Sequence, residues 1–209
     1  MEERKNKLFG LLGKNISYSF SRGYFTEKFE NLKLKKHKYV NFDIQNIKDF
    51  PKIIEKTEDD LKGYNTDVVG FEKSIYPLLK KHHKRALILG TGGASKAIAY
   101  ALKKNDIKFK FVSRNPQKKK EISYQDITEE VLSKYNIIIN CTPLGTSPDI
   151  EKCPNIPYNS LTDKHLLYDL IYNPEVSTFL KKGLEKGAVI KNGYEMLQLQ
   201  AEESWRIWN

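Results

Sequence analysis

The chain has 209 residues, enough for one large domain or two small ones. Hydrophobic residues make up 39% and charged residues 30%, a soluble composition, and no apolar run approaches the roughly 18–20 residues of a membrane span. The formal net charge of +10 comes from lysines scattered through every segment, without the interleaved aromatics of a single-strand binder, which argues for a solvated surface and against a nucleic-acid partner.

The first expected strand is the apolar run at residues 8–12, LFGLL. It is too short for a signal-peptide core, and no small-residue cleavage site follows. A Gly/Ser/Asn-rich stretch at 13–21 leads to a helical pattern over 24–32, a second strand at 39–42 and a short helix opened by Pro51. Residues 63–67, GYNTD, read as a strand end or turn, because Gly, Asn and Asp are turn formers. From residue 84 the pattern alternates regularly. Strands are expected at 86–89, 109–112, 137–139, 166–170 and 188–190, with helices over 94–104, 176–186 and 194–208. Strands alternating with helices imply a parallel sheet covered on both faces. Cys141 and Cys153 have neither metal spacing nor the count for a disulfide framework, so no metal site and a reduced, cytoplasmic protein are expected.

The strongest local signal is ALILGTGGASKA at residues 86–97. A buried strand runs into Gly90, Gly92 and Gly93, and a helix starts directly behind. Gly90 serves the tight turn and Gly92 lets backbone approach a pyrophosphate, while the helix N-terminus offers free N–H groups to the anion. The third glycine of the dinucleotide fingerprint is replaced by Ser95, so the match is a variant. An NAD-preferring site carries Asp or Glu at the end of the next strand, to hold the ribose 2′-hydroxyl. Here that place reads Ser113-Arg114-Asn115, with lysines at 118–120 beyond. Arg114 can pair with a 2′-phosphate and stack on adenine, so NADP is expected over NAD.

Further patterns flank this core. Ser19 and Ser21 lie in the loop after the first strand, and GYNTD supplies Asp67. NCTPLG at 140–145 includes Thr142. YDLIYNP at 168–174 includes Leu170 and Tyr172, and GYEMLQLQ at 193–200 includes Gly193 and Gln200. Taken singly, Ser19 and Ser21 read as turn or capping serines, Asp67 as a helix cap and Tyr172 as a packing tyrosine. In this order around a Rossmann core, they resemble the shikimate dehydrogenase family over almost the whole chain.

The resemblance implies an α/β protein: a Rossmann-type doubly wound parallel sheet plus a smaller, truncated α/β substrate-binding domain. Its expected limits are 1–72 for the substrate-binding domain, 73–192 for the NADP-binding domain and 193–209 for a C-terminal helix returning to the first. It implies an NADP-dependent enzyme interconverting 3-dehydroshikimate and shikimate in aromatic (chorismate) biosynthesis, as a monomer or homodimer, with quinate as an alternative substrate. By the same resemblance Ser19 and Ser21 hydrogen-bond the substrate carboxylate, Asp67 contacts its hydroxyls and takes part in catalysis, and Tyr172 and Gln200 make further substrate contacts. Gly90, Thr91, Gly92, Gly93 and Ala94, with Ser113, Arg114, Asn115 and Lys118, take the cofactor phosphates. Thr142 lies on the cofactor side, and Leu170 and Gly193 sit beside the nicotinamide.

One departure matters chemically. The family carries N-V-T-x-P-x-K, whose lysine is the acid/base, then A-V-N-T with a substrate-binding asparagine. Only IEKTEDDLK, residues 54–62, occupies that interval here. The abrupt loss of whole elements between intact motifs favours a parent protein that carries the segment over a natural deletion or a non-catalytic NADP-binding relative. Lys62, the nearest replacement, reads as a surface lysine. The serine loop departs only at its flanks, reading Tyr18-Ser19-Phe20-Ser21-Arg22.

Overall fold

The computed structural model describes residues 7–17, 19–54 and 64–209. The chain divides into two compact units, Met1–Gly63 and Tyr64–Asn209.

In the first unit β1 (Lys7–Gly13) pairs in parallel with β2 (His37–Asp43), from Lys7 opposite His37 to Gly13 opposite Asp43. Parallel neighbours need a crossover, supplied here by α1 (Phe20–Asn31). Phe25 and Phe29, one helical turn apart, are buried. Phe25 stacks on Tyr39 of β2 at 4.9 Å, and Phe29 meets Phe9 of β1 at 5.6 Å. The loop between β1 and α1 is held from β2. The Asp43 carboxylate accepts from the backbone N–H of Asn15 (2.9 Å) and Ile16 (3.3 Å), and the Asn41 amide donates to the Ile16 carbonyl at 2.8 Å. The short α2 (Phe50–Ile54) follows, as Pro51 leads one to expect.

The second unit opens with α3 (Thr66–Ile75) and continues through β3 (Arg85–Leu89), α4 (Gly93–Lys104), β4 (Lys108–Val112), β5 (Glu121–Ile122), α5 (Glu129–Lys134), β6 (Ile137–Asn140), β7 (Leu166–Asp169), α6 (Thr178–Leu184), β8 (Val189–Lys191) and α7 (Tyr194–Trp208). Its six strands form one all-parallel sheet in the order β5-β4-β3-β6-β7-β8. The apolar runs of the central strands are continuous because both sheet faces are buried. Alternate residues serve opposite cores. Ala86, Ile88, Ile137 and Ile139 join Phe71, Ile98 and Leu102 on one face, while Leu87, Leu89 and Ile138 join Leu132 and Phe179 on the other.

Three expectations need correction. Residues 65–67 do not end a strand: Asn65 is the N-cap of α3, and Thr66 and Asp67 form its first turn. The break expected after residue 72 falls after 63, because α3 packs on α4 and α7 within the second unit. Phe71 meets Tyr168 edge-on at 5.0 Å, and the Ser74 and Tyr168 hydroxyls share a buried 2.6 Å hydrogen bond. The helix expected over 176–186 is shorter, since the Ser177 hydroxyl caps it by accepting from the Leu180 N–H.

Candidate active site

The centre of the second sheet is a switch point, because the chain leaves β3 for β4 on one side and later takes up β6 on the other. Loops diverge there and leave a crevice above the strand ends. Two backbone bonds carry the ladder to that crest: Gly90 N–H donates to the Val112 carbonyl and Cys141 N–H to the Leu89 carbonyl, both at 2.9 Å. Gly90 turns with φ +102°, in the left-handed region that favours glycine. A Cβ there would also crowd the Cys141 carbonyl and the Thr142 methyl, each at 3.2 Å.

Gly92 and Gly93 differ from Gly90, since a Cβ on either would meet nothing within 4 Å. Gly92, the N-cap of α4, lines the crevice, whereas Gly93 and Ala94 in the first turn lie outside its lining. The first turn of α4 contains no acid, so the positive end of its dipole is not neutralised by its own residues. Ser95, in the third fingerprint position, is fully buried, and its hydroxyl turns back to donate to the Gly92 carbonyl at 2.7 Å. The serine therefore leaves the crevice clear.

The crevice measures about 600 Å³ and brings together Gly90, Thr91, Gly92, Ser113, Arg114, Asn115 and Thr142. Asn115 N–H donates to the Ser113 hydroxyl at 3.2 Å, which tightens the turn carrying Arg114. The lining also contains Cys141, Pro143 and Leu144 beside Thr142, and Tyr124, Cys153 and Asn155, which the sequence reading missed. Arg114 acts electrostatically on Tyr124, although burial dominates and pushes that phenol upward. Burial likewise raises the Cys141 thiol, leaving it neutral. Lys118 is exposed and lies outside this lining.

The remaining expected site residues of this unit lie elsewhere. Gly193 N–H donates to the Ile171 carbonyl at 3.0 Å, and any side chain on Gly193 would collide with the Leu170 backbone. The rings of Tyr172 and Tyr194 lie 6.4 Å apart. α3 and α7 run antiparallel: a Cβ on Gly70 would lie 2.5 Å from the Met196 carbonyl and 3.2 Å from Gln200 Cβ, and the Ser204 and Thr66 hydroxyls meet at 3.3 Å. Asp67 is one turn before Gly70 on the helix that faces Gln200. Burial pushes its carboxyl above the usual range. In the first unit Ser19 holds the N-cap position of α1 without capping it through its side chain, and Ser21 is a hydrogen-bond partner of Tyr39. Lys62 and Gly63 lie outside the described residues. No cluster of potential metal ligands occurs among the described residues, and none of their helices is long and apolar enough to cross a membrane.

A buried polar network underlies the crest. Asn140 and Asp169 end adjacent strands directly opposite each other. Asp169 Oδ1 accepts from Asn140 Nδ2 and from Ile171 N–H, both at 3.0 Å, and Oδ2 accepts from Ser177 Oγ at 2.5 Å. Asn140 Oδ1 in turn accepts from the Thr142 N–H (3.0 Å) and hydroxyl (2.7 Å). The sequence signal was a single polar residue ending each apolar strand, IIIN and LLYD.

No family model matches the chain. It is 40% identical over 159 residues to the shikimate dehydrogenase (NADP(+)) of Clostridium botulinum strain Hall, covering 72% of this chain and 61% of that relative. The chain thus spans about three fifths of that relative's length. Against the shikimate dehydrogenase (NADP(+)) of Methanococcus vannielii it is 29% identical, with 100% of this chain and 93% of the relative covered. That alignment runs over 268 positions, more than this chain has residues, so the relative carries residues with no counterpart here. The structure of shikimate 5-dehydrogenase from Listeria monocytogenes, in complex with shikimate and NAD, superposes with a TM-score of 0.85. It covers 100% of this chain and 94% of that one at 19% identity, a likeness of fold.

Proposed function

Because the chain belongs to the shikimate dehydrogenase family, we propose that it binds NADP(H) in the crevice above β3 and β6 and interconverts 3-dehydroshikimate and shikimate in aromatic (chorismate) biosynthesis. One observation carries the reading. The open Gly92 at the acid-free start of α4 shares a crevice with Arg114, where an NAD-preferring site has a carboxylate. Gly90, Thr91, Gly92, Gly93 and Ala94 would hold the pyrophosphate. Ser113, Arg114 and Asn115 would hold the adenosine 2′-phosphate, with Lys118 adding long-range attraction from the surface. Thr142, Leu170 and Gly193 would border the nicotinamide, which when bound supplies or accepts the hydride.

The chain's own residues bind and orient the substrate. Ser19 and Ser21 offer hydroxyl donors to its carboxylate, while Tyr172 and Gln200 add polar contacts to its ring oxygens. Asp67 accepts from a substrate hydroxyl and takes up its proton. Its raised affinity for protons, a consequence of burial, brings it nearer to that task than an exposed aspartate. The family's lysine-bearing stretch has no counterpart between Ile54 and Lys62, and a positioned acid/base typically contributes about 10²–10⁴-fold. Turnover by this chain is therefore slow relative to a family member that carries the lysine. The protein would act in the cytoplasm as a monomer or homodimer.

The missing lysine favours one alternative, an NADP(H)-binding protein without turnover. The test follows NADPH formation from NADP⁺ with shikimate, and separately with quinate. Slow turnover on shikimate that Asp67→Asn abolishes is the expected result. Cofactor binding with no turnover even at high protein concentration leaves the alternative, and failure to bind NADPH rejects both.

A further inference from the structure

Asp169 is buried, lies outside the crevice lining, and has no part in the roles assigned above. Its surroundings are unusual for a carboxylate. All three of its hydrogen-bond donors, the Asn140 amide, the Ser177 hydroxyl and the Ile171 N–H, are neutral. Burial pushes the carboxyl up to about 6, while those donors pull the other way. A leucine or asparagine would fill this volume without placing a charge in the core, so the observed residue needs a reason in what it holds.

What it holds is the rim of the cofactor crevice. Oδ1 ties the end of β6 to the turn after β7, and Oδ2 reaches the N-cap of α6. The fixed Asn140 then presents its own oxygen to both the N–H and the hydroxyl of Thr142, whose hydroxyl accepts from Leu144 N–H at 3.3 Å. Thr142, Pro143 and Leu144 form one wall of the crevice. On the other branch, the turn at Ile171 carries Leu170 and takes the Gly193 N–H.

We propose that Asp169 is a positioning residue for dinucleotide binding: through Asn140 it sets the 142–144 wall, and through Ile171 it sets the seat of Leu170 and Gly193. This inference rests on the NADP(H) reading of the crevice. Hydrogen bonds donated to a carboxylate are stronger than neutral ones, so a single side chain ties the end of β6, 29 positions away, to the turn after β7 and the N-cap of α6.

The test measures NADPH affinity of the full chain by the fluorescence of the bound cofactor, with melting temperature and amide hydrogen exchange read on the same samples. Asp169→Ala removes all three acceptor contacts and is expected to weaken NADPH binding by roughly tenfold. Faster exchange at Thr142 and Leu144 should accompany that loss. Asp169→Asn is expected to restore most of the affinity. Its oxygen still accepts from Asn140 and Ile171, and its amide donates to Ser177, whose hydroxyl accepts as readily as it donates. Ser177→Ala, outside the crevice lining, tests the network without deleting its centre and should weaken binding by roughly threefold. Should Asp169→Ala fail to fold, the loss expected of Ser177→Ala decides the matter. Asp169→Ala or Ser177→Ala variants that melt earlier yet bind NADPH as the wild type does would overturn the positioning role and leave the cofactor reading intact. A wild-type chain that does not bind NADPH overturns both.

Discussion

Arg114 stands where a cofactor-selecting acid would stand, and its replacement gives the most direct reading of selectivity. Arg114→Asp exchanges a cation for an anion on the wall shared with Gly92 and Thr91. NADPH affinity should fall by more than about tenfold, since a charge-assisted phosphate contact is lost and a like charge is gained. NADH affinity should hold or rise, because an acid there can take the ribose 2′-hydroxyl. Titrating the variant with both cofactors checks this, and an unchanged ratio would remove Arg114 from the selecting role. Arg114 was legible because its place is defined by local order: strand, glycines, helix, strand. Asn140 and Asp169 were not, because their meeting depends on the register between β6 and β7. A polar residue ending each apolar strand marks the two positions, but it does not say that they pair across 29 positions.

The central strands were readable from sequence because burial on two faces leaves no polar interruption. Helix α3 was misread for the opposite reason: Asn65 and Asp67 are turn formers, and here they start a helix instead. The two-residue β5 and six-residue α5 are too short to show a period, and β5 exists through its pairing with β4. The α3–α7 crossing offers a test of packing between elements. A methyl group on Gly70 would lie 2.5 Å from the Met196 carbonyl, which is backbone and cannot rotate away. Gly70→Ala should therefore destabilise the fold by about 1–3 kcal/mol, seen as a fall in Tm of several degrees. It should also slow turnover, because the same displacement moves Gln200 relative to the helix of Asp67. An unchanged Tm would mean that the two helices separate at no cost, contrary to this packing.

Across the whole molecule, acid acts through opposing groups. His83 and His165 are buried, and desolvation depresses both below the ordinary imidazole value. His83 accepts from the Lys80 N–H and His165 from the Thr162 N–H through Nδ1, a pattern that fits neutral rings. The stability they contribute is complete above about pH 6.5 and is lost as pH falls toward their lower folded values. Asp169 works in the other direction. Its folded value of about 6 exceeds the unfolded one, so proton uptake below about pH 6 favours the folded state. The wild type should therefore lose less Tm between about pH 7 and pH 5 than Asp169→Asn, which keeps the histidine penalty without the compensating uptake. Parallel melting curves would give the comparison, and identical slopes would show that the carboxyl does not titrate in this window.

The meeting of Gly193 with the Leu170 backbone reaches beyond local geometry. Because main chain rests on main chain there, no side-chain rearrangement can absorb a displacement of the final helix. A fusion or truncation that tugs on the carboxyl-terminal segment is thus transmitted as a rigid push to the loop beyond β7.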